Sequence, residues 1–103
     1  MARIRKAKFH PDPPHRDMLD PLYVNWRKQV RQRDKHTCQM PGCGCRAKTK
    51  IQVHHIKPWK KFPTLRYVVQ NGICLCRKCH TSIKDKEAIF EPIFVNIAIR
   101  NEV

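Results

Sequence analysis

Between Asp34 and Asp85 the chain contains no aspartate or glutamate at all. Basic residues nevertheless run through the whole interval: Lys35, Arg46, Lys48, Lys50, Lys57, Lys60, Lys61, Arg66, Arg77, Lys78 and Lys84. Isolated lysines usually mean only solubility. An acid-free stretch of this length, in a chain of formal net charge +14, predicts a polyanion held against that part of the protein, with nucleic acid as the expected partner. Long apolar runs are also missing. None approaches the ~20 residues of a membrane span, so no membrane partner is expected. Met1 to Phe9 is basic, but the next segment is Pro-rich and polar rather than an apolar secretion signal, so a cytoplasmic, reducing setting is the expectation. No internal repeats are present.

The 103 residues predict a single domain. A domain this small gains from something besides its apolar core, and six cysteines are available for that purpose. Residues 1–20 carry many charges together with Pro11, Pro13 and Pro14, the composition of an extended N-terminal arm. Residues 21–103 form the expected domain. Asp20-Pro21 has the form of a helix start, and Leu22, Val24, Trp26 and Val30 predict an amphipathic helix to about Arg33 with its cationic side outward. Lys35 to Lys50 is expected to be a loop with a tight turn at Pro41-Gly42-Cys43-Gly44. Ile51 to Ile56 predicts a strand, Lys57 to Gln70 a loop, Asn71-Gly72 a turn, and Ile73-Cys74-Leu75 a second strand. A helix follows from Cys76, completing a compact ββα unit. A last helical segment from about Lys86 to Arg100 contains Pro92, which predicts a kink or break. The fold class is therefore α+β.

Cys38 with Cys43, and Cys76 with Cys79, make two closely spaced pairs. Zinc favours such thiolate sets in a closed tetrahedral shell, and a short spacer brings the second ligand at little loop-closure entropy. Cys76 and Cys79 share one face of a helical turn. Cys45 competes with Cys43 for a place in the shell, and the Pro-Gly turn just before Cys43 favours that residue. Cys74 fits better as a small buried core residue.

His54 and His55 are adjacent on a strand, so their side chains point to opposite faces. One metal is then not expected to take both. One imidazole can bind a divalent cation while the other serves as a base. His80 follows Cys79 on the helix and points away from the zinc sulfur, from where it can reach back toward the strands. His10, His15 and His36 are expected to be ordinary solvated histidines.

The series Cys38…Cys43…Val53-His54-His55-Ile56…Asn71-Gly72-Ile73…Leu75-Cys76-x2-Cys79-His80 resembles the HNH nuclease family of phage and bacterial type, over roughly Trp26 to Phe94. That resemblance implies a ββα-metal core with flanking helices and a four-cysteine structural zinc site. It further implies that His55 is the general base for an attacking water and that Asn71 orients the loop and the base through hydrogen bonds. His54 and His80 would ligate a catalytic divalent metal, which could be magnesium, manganese, nickel or zinc. An imidazole of pKa near ~6.5 suits activation of water at neutral pH, and nearby cations disfavour its protonated form.

Lys57, Lys60, Lys61, Arg66, Arg77 and Lys78 surround these positions and are the expected contacts to DNA phosphates. Trp59 and Phe62 lie among them and could stack on bases or pack under the loop. The expected function is endonucleolytic cleavage of DNA, by nicking or double-strand scission, with a possible protein partner for specificity. A zinc-stabilised nucleic-acid-binding module, silent or accessory to another nuclease, is the alternative. His55 separates the two, because binding alone requires no histidine there.

Overall fold

The computed structural model describes residues 19–102; the arm expected over residues 1–20 lies almost wholly outside them. The first helix, α1 (Pro21–Arg33), starts as its sequence predicts: the Asp20 side chain accepts the Leu22 N–H, and Pro21 occupies a position whose missing N–H costs nothing. Its inward face differs from the expected one. Tyr23, Trp26 and Val30 are buried, whereas Leu22 is 60% and Val24 43% exposed. Positions 23, 26 and 30 follow the 3.6-residue period onto the sheet, and residues 22 and 24 flank that stripe.

Strands β1 (Ile51–His55) and β2 (Gly72–Cys76) pair antiparallel, with His54 opposite Ile73 and His55 opposite Gly72. The connection between them runs from Ile56 to Asn71 and contains single 3-10 turns at Pro63–Leu65 and Val69–Asn71. Asn71-Gly72 is therefore not a hairpin turn. Gly72 has extended backbone, with φ −121°, and glycine is required there for space. A Cβ would lie 2.6 Å from Val30 Cγ2 and 2.7 Å from Trp26 Cζ2, so α1 can press on the strand only where the side chain is absent.

Two short steps complete the unit: β2 ends at Cys76, and α2 (Arg77–Ser82) begins at the next residue. The final helix, α3 (Glu87–Asn101), passes through Pro92 without interruption. Of the expected kink or break, the break does not occur. Phe90 and Phe94 stack across the proline with ring centroids 5.7 Å apart. Beyond it, Phe94, Ile97 and Ala98 are buried, so packing holds the helix through the one hydrogen bond that proline removes.

The core thus has two sides. Helix α1 covers the sheet face that carries His55, Gly72 and Cys74, where Trp26 and Val30 are the large contacts. The opposite face, with Gln52 and His54, lies under α2 and α3. A buried polar hub locks the layers together. Asp34 accepts two hydrogen bonds of 2.8 Å from Arg33, one of 3.0 Å from the Cys74 N–H and one of 3.0 Å from Asn101 at the end of α3. Arg33 also donates to the carbonyls of Val69 and Gly72, fixing the entry into β2. A buried charge kept this way is satisfied on every side.

Candidate functional site

The four cysteines come together from two local devices. After α1 the chain folds back on itself: the Cys38 N–H donates to the Cys45 carbonyl at 2.7 Å and the Cys43 N–H to Met40 at 2.9 Å. Gly42 (φ +86°) and Gly44 (φ +70°) supply the left-handed conformations this turn needs. From the other side, Cys76 closes β2 and Cys79 lies in the first turn of α2. The sulfurs of Cys38, Cys43, Cys76 and Cys79 all lie within 4.8 Å of one another, with Cys43 and Cys76 3.9 Å apart. Sulfurs bound tetrahedrally to one zinc are about 3.8 Å apart, given a Zn–S distance of about 2.3 Å. The cluster could therefore hold a structural metal, and its donor set is that of zinc.

Proton affinities within the cluster diverge. The Cys76 thiol is lowered to about 7, chiefly because the Cys79 N–H donates to its sulfur. Burial raises Cys38 and Cys79, and neighbouring thiols raise Cys79 further. Four thiolates at this separation repel one another, so a dication is what would let all four ionise. Cys45 and Cys74 lie outside the cluster. Strand alternation alone would put Cys74 on the same side as Cys76; they part because Cys76 is the residue at which the chain turns into α2. Cys74 is fully buried against the Val30 carbonyl, and burial, followed by the charge of Asp34, pushes its thiol up to about 12.

His80 follows Cys79 directly and projects onto the outer sheet face. Its Nε2 lies 3.3 Å from His54 Nδ1, and its Nδ1 lies 2.6 Å from Gln52 Oε1. The His54 ring is held edge-on by Phe94, with centroids 5.8 Å apart. Two nitrogens bound to one zinc at tetrahedral angles are about 3.3 Å apart, given Zn–N distances of about 2.0–2.1 Å. These two imidazoles therefore have the spacing of a metal-binding pair.

His55 occupies the other face. Its ring stacks on Trp26 at 4.0 Å and 13°, it is 6% exposed, and its Nε2 donates to the Arg66 carbonyl at 2.9 Å. A carbonyl can only accept, so the neutral ring has its proton on Nε2 and its basic lone pair on Nδ1. Asn71 is buried and ties both ends of the intervening loop together. Its Oδ1 accepts the Lys57 N–H at 2.8 Å, and its Nδ2 donates to the carbonyls of Lys57 at 3.2 Å and Leu65 at 3.1 Å. The carbonyl that holds His55 belongs to the next residue, Arg66.

The basic residues divide into two groups. Lys60, Lys61, Arg77 and Lys78 are exposed. Lys57 pairs with Glu91 on α3 at 2.7 Å. Arg66 is turned inward and 8% exposed. Its Nε donates to the Trp59 carbonyl at 2.7 Å and its guanidinium lies 3.8 Å over the Trp59 ring. Trp59 itself is buried, while Phe62 is partly exposed. The structure thus withdraws Arg66 from the surface group and gives Lys57 an internal partner.

Two participants are not evident from sequence: Gln52, and Trp26 as the platform for His55. Gln52 stands two residues before His54, and period-2 alternation could have placed both on one face. Nothing local marks Trp26 for that role.

The segment that carries both histidine faces and the cysteine cluster matches the HNH endonuclease family model over residues 38–86, so this stretch of the chain is an HNH domain. Its α+β structure, two strands followed by a helix beside a four-cysteine cluster, agrees with that assignment. No curated protein and no solved structure matches the chain. Among the described residues no helix is long and apolar enough to cross a membrane.

Proposed function

We propose that the protein is a metal-dependent endonuclease that hydrolyses phosphodiester bonds in DNA, within the reducing interior of a bacterial or phage-infected cell. The observation that carries this reading is the His54–His80 pair, 3.3 Å apart, built on the same helical turn that supplies Cys79 to the cysteine cluster. In this reading Cys38, Cys43, Cys76 and Cys79 bind a structural zinc ion, and His54 and His80 hold a divalent cation. When bound, that cation neutralises charge developing on phosphate oxygens. His55 is the general base, taking a proton from water at Nδ1 while Arg66 holds its Nε2–H. Asn71 keeps the loop, and through it the Arg66 carbonyl, in place. Lys60, Lys61, Arg77 and Lys78 bind DNA phosphates with little sequence preference.

One observation favours a second reading. His55 is buried and stacked on Trp26, so catalysis requires its surroundings to admit the scissile phosphate to that ring. Were they to stay closed, the chain would be a nucleic-acid-binding module in which His55 is a core residue. A supercoiled-plasmid assay with magnesium, manganese, nickel or zinc separates the two. Nicked or linear product from the wild type, lost in His55→Ala and His80→Ala, is the expected outcome. Absence of product with every metal would establish the binding module instead.

A further inference from the structure

We infer that Gln52 is a positioning residue that holds His80 in the tautomer able to bind a divalent metal; this rests on the metal role proposed above for His54 and His80. Three facts combine. Strand alternation puts Gln52 and His54 on one face of β1. His80 reaches that face from α2 and touches both, with Nδ1 2.6 Å from Gln52 Oε1 and Nε2 3.3 Å from His54 Nδ1. An amide oxygen accepts and cannot donate, so the proton shared with Gln52 belongs to His80 Nδ1. The lone pair of neutral His80 then lies on Nε2, on the side that faces His54.

A ligating imidazole whose other nitrogen donates to a fixed acceptor is pre-set in ring orientation and tautomer, and loss of such an acceptor typically lowers metal affinity 10–100-fold. The acceptor here is a neutral amide rather than a carboxylate. It orients His80 without adding negative charge, which leaves the cation's charge directed at phosphate. A glutamate at the same position would orient the ring equally and bind the cation more tightly.

The test uses the full-length chain loaded with one equivalent of zinc, titrated with cobalt(II) and followed by its visible absorption and by calorimetry. Thermal unfolding of each variant checks the fold. Gln52→Met, which keeps the volume and removes the acceptor, should bind cobalt 10–100-fold more weakly than wild type. Gln52→Glu should bind at least as tightly as wild type. Equal affinity in wild type and Gln52→Met would overturn the role of Gln52 while leaving the metal site standing. Should Gln52→Met fail to fold, Gln52→Glu decides alone: a glutamate only accepts, so weakened binding would show that the amide nitrogen faces His80. If the wild type binds no cobalt beyond zinc, or His80→Ala binds as well as wild type, the metal site itself fails, and this inference with it.

Discussion

His54 and His55 are consecutive in the chain, yet their rings lie on opposite faces of a two-stranded sheet and meet different helices. His54 Nδ1 lies 3.3 Å from His80 Nε2 on the α2 side, and the His55 ring stacks at 4.0 Å on Trp26 on the α1 side. The two imidazoles therefore have separate surroundings across the thickness of one strand. Each face can be tested by itself.

His55→Phe should keep the stack on Trp26 while removing the basic nitrogen and the hydrogen bond to the Arg66 carbonyl. Thermal unfolding should show a loss of about 1–2 kcal/mol for that bond. Plasmid nicking should fall by at least ~100-fold, the usual contribution of a general base. Undiminished nicking would remove His55 from the chemistry.

Gly72→Ala places a methyl group 2.6 Å from Val30 Cγ2 and 2.7 Å from Trp26 Cζ2. Both neighbours are fully buried, so α1 must shift, at a cost of about 1–3 kcal/mol in urea unfolding. Because Trp26 carries His55, nicking should decline as well, although no polar group has changed. A variant as stable as wild type would show that the helix has room to move.

Metal analysis should find one tightly held zinc per chain, lost in Cys76→Ser and Cys79→Ser. Its removal should melt the junction of β2 with α2, reported by circular dichroism, and disable His80 with it. Zinc must displace protons from the raised Cys38 and Cys79 thiols, so affinity should weaken as pH is lowered. The Cys76 thiol, lowered to about 7, gives up its proton more readily than Cys38 or Cys79. Calorimetry in buffers of differing ionisation enthalpy would count the protons released.

Salt titrations of DNA binding should separate the two groups of basic residues. Lys60→Ala and Lys61→Ala should each reduce the slope of log K against log salt by about 0.9 on duplex DNA. Arg66→Ala should leave the slope nearly unchanged and instead lower stability by about 1–3 kcal/mol, because it opens a hydrogen bond and a buried stack on Trp59. A full unit of slope lost in Arg66→Ala would show that this guanidinium reaches phosphate.

Asp34→Ala would take from Arg33, whose side chain is only 7% exposed, its nearer carboxylate, leaving it the Val69 and Gly72 carbonyls and Glu102 at 3.6 Å. It would also remove the acceptor of the Cys74 N–H and one of the two acceptors of Asn101. Breaking a buried pair on one side costs about 3–5 kcal/mol, a large share of what a domain of this size possesses. Chemical denaturation would measure it. A loss within about 0.5 kcal/mol, the range of surface substitutions, would show that water replaces the carboxylate.

Local rules made the elements legible. The Asp20-Pro21 start, the alternation of Ile51 to His55, the turn around Gly42 and the Cys-x2-Cys step each depend on residues a few positions apart. They locate α1, both strands and the cysteine cluster. The same rules allowed a break at Pro92, where buried Phe94 and Ile97 outweigh one missing hydrogen bond. They also assigned Gly72 to a turn, where that glycine is extended and answers to a helix far earlier in the chain. They also said nothing of Gln52, an ordinary polar residue until His80 is folded down beside it.

Which side chains can do chemistry, and how they pair along the chain, is thus written in the primary structure. Cysteine spacing, strand alternation and the acid-free basic interval are all short-range or compositional properties. Which cations remain available to a polyanion, and what each histidine faces, depends on the assembled fold. Lys57 is engaged because Glu91 arrives on α3, and Arg66 because Trp59 lies beneath it. His55 is covered because α1 crosses the strand at Gly72. Exposure and hydrogen-bond partners are set by residues distant in sequence, and no local pattern encodes a neighbour that only folding brings near.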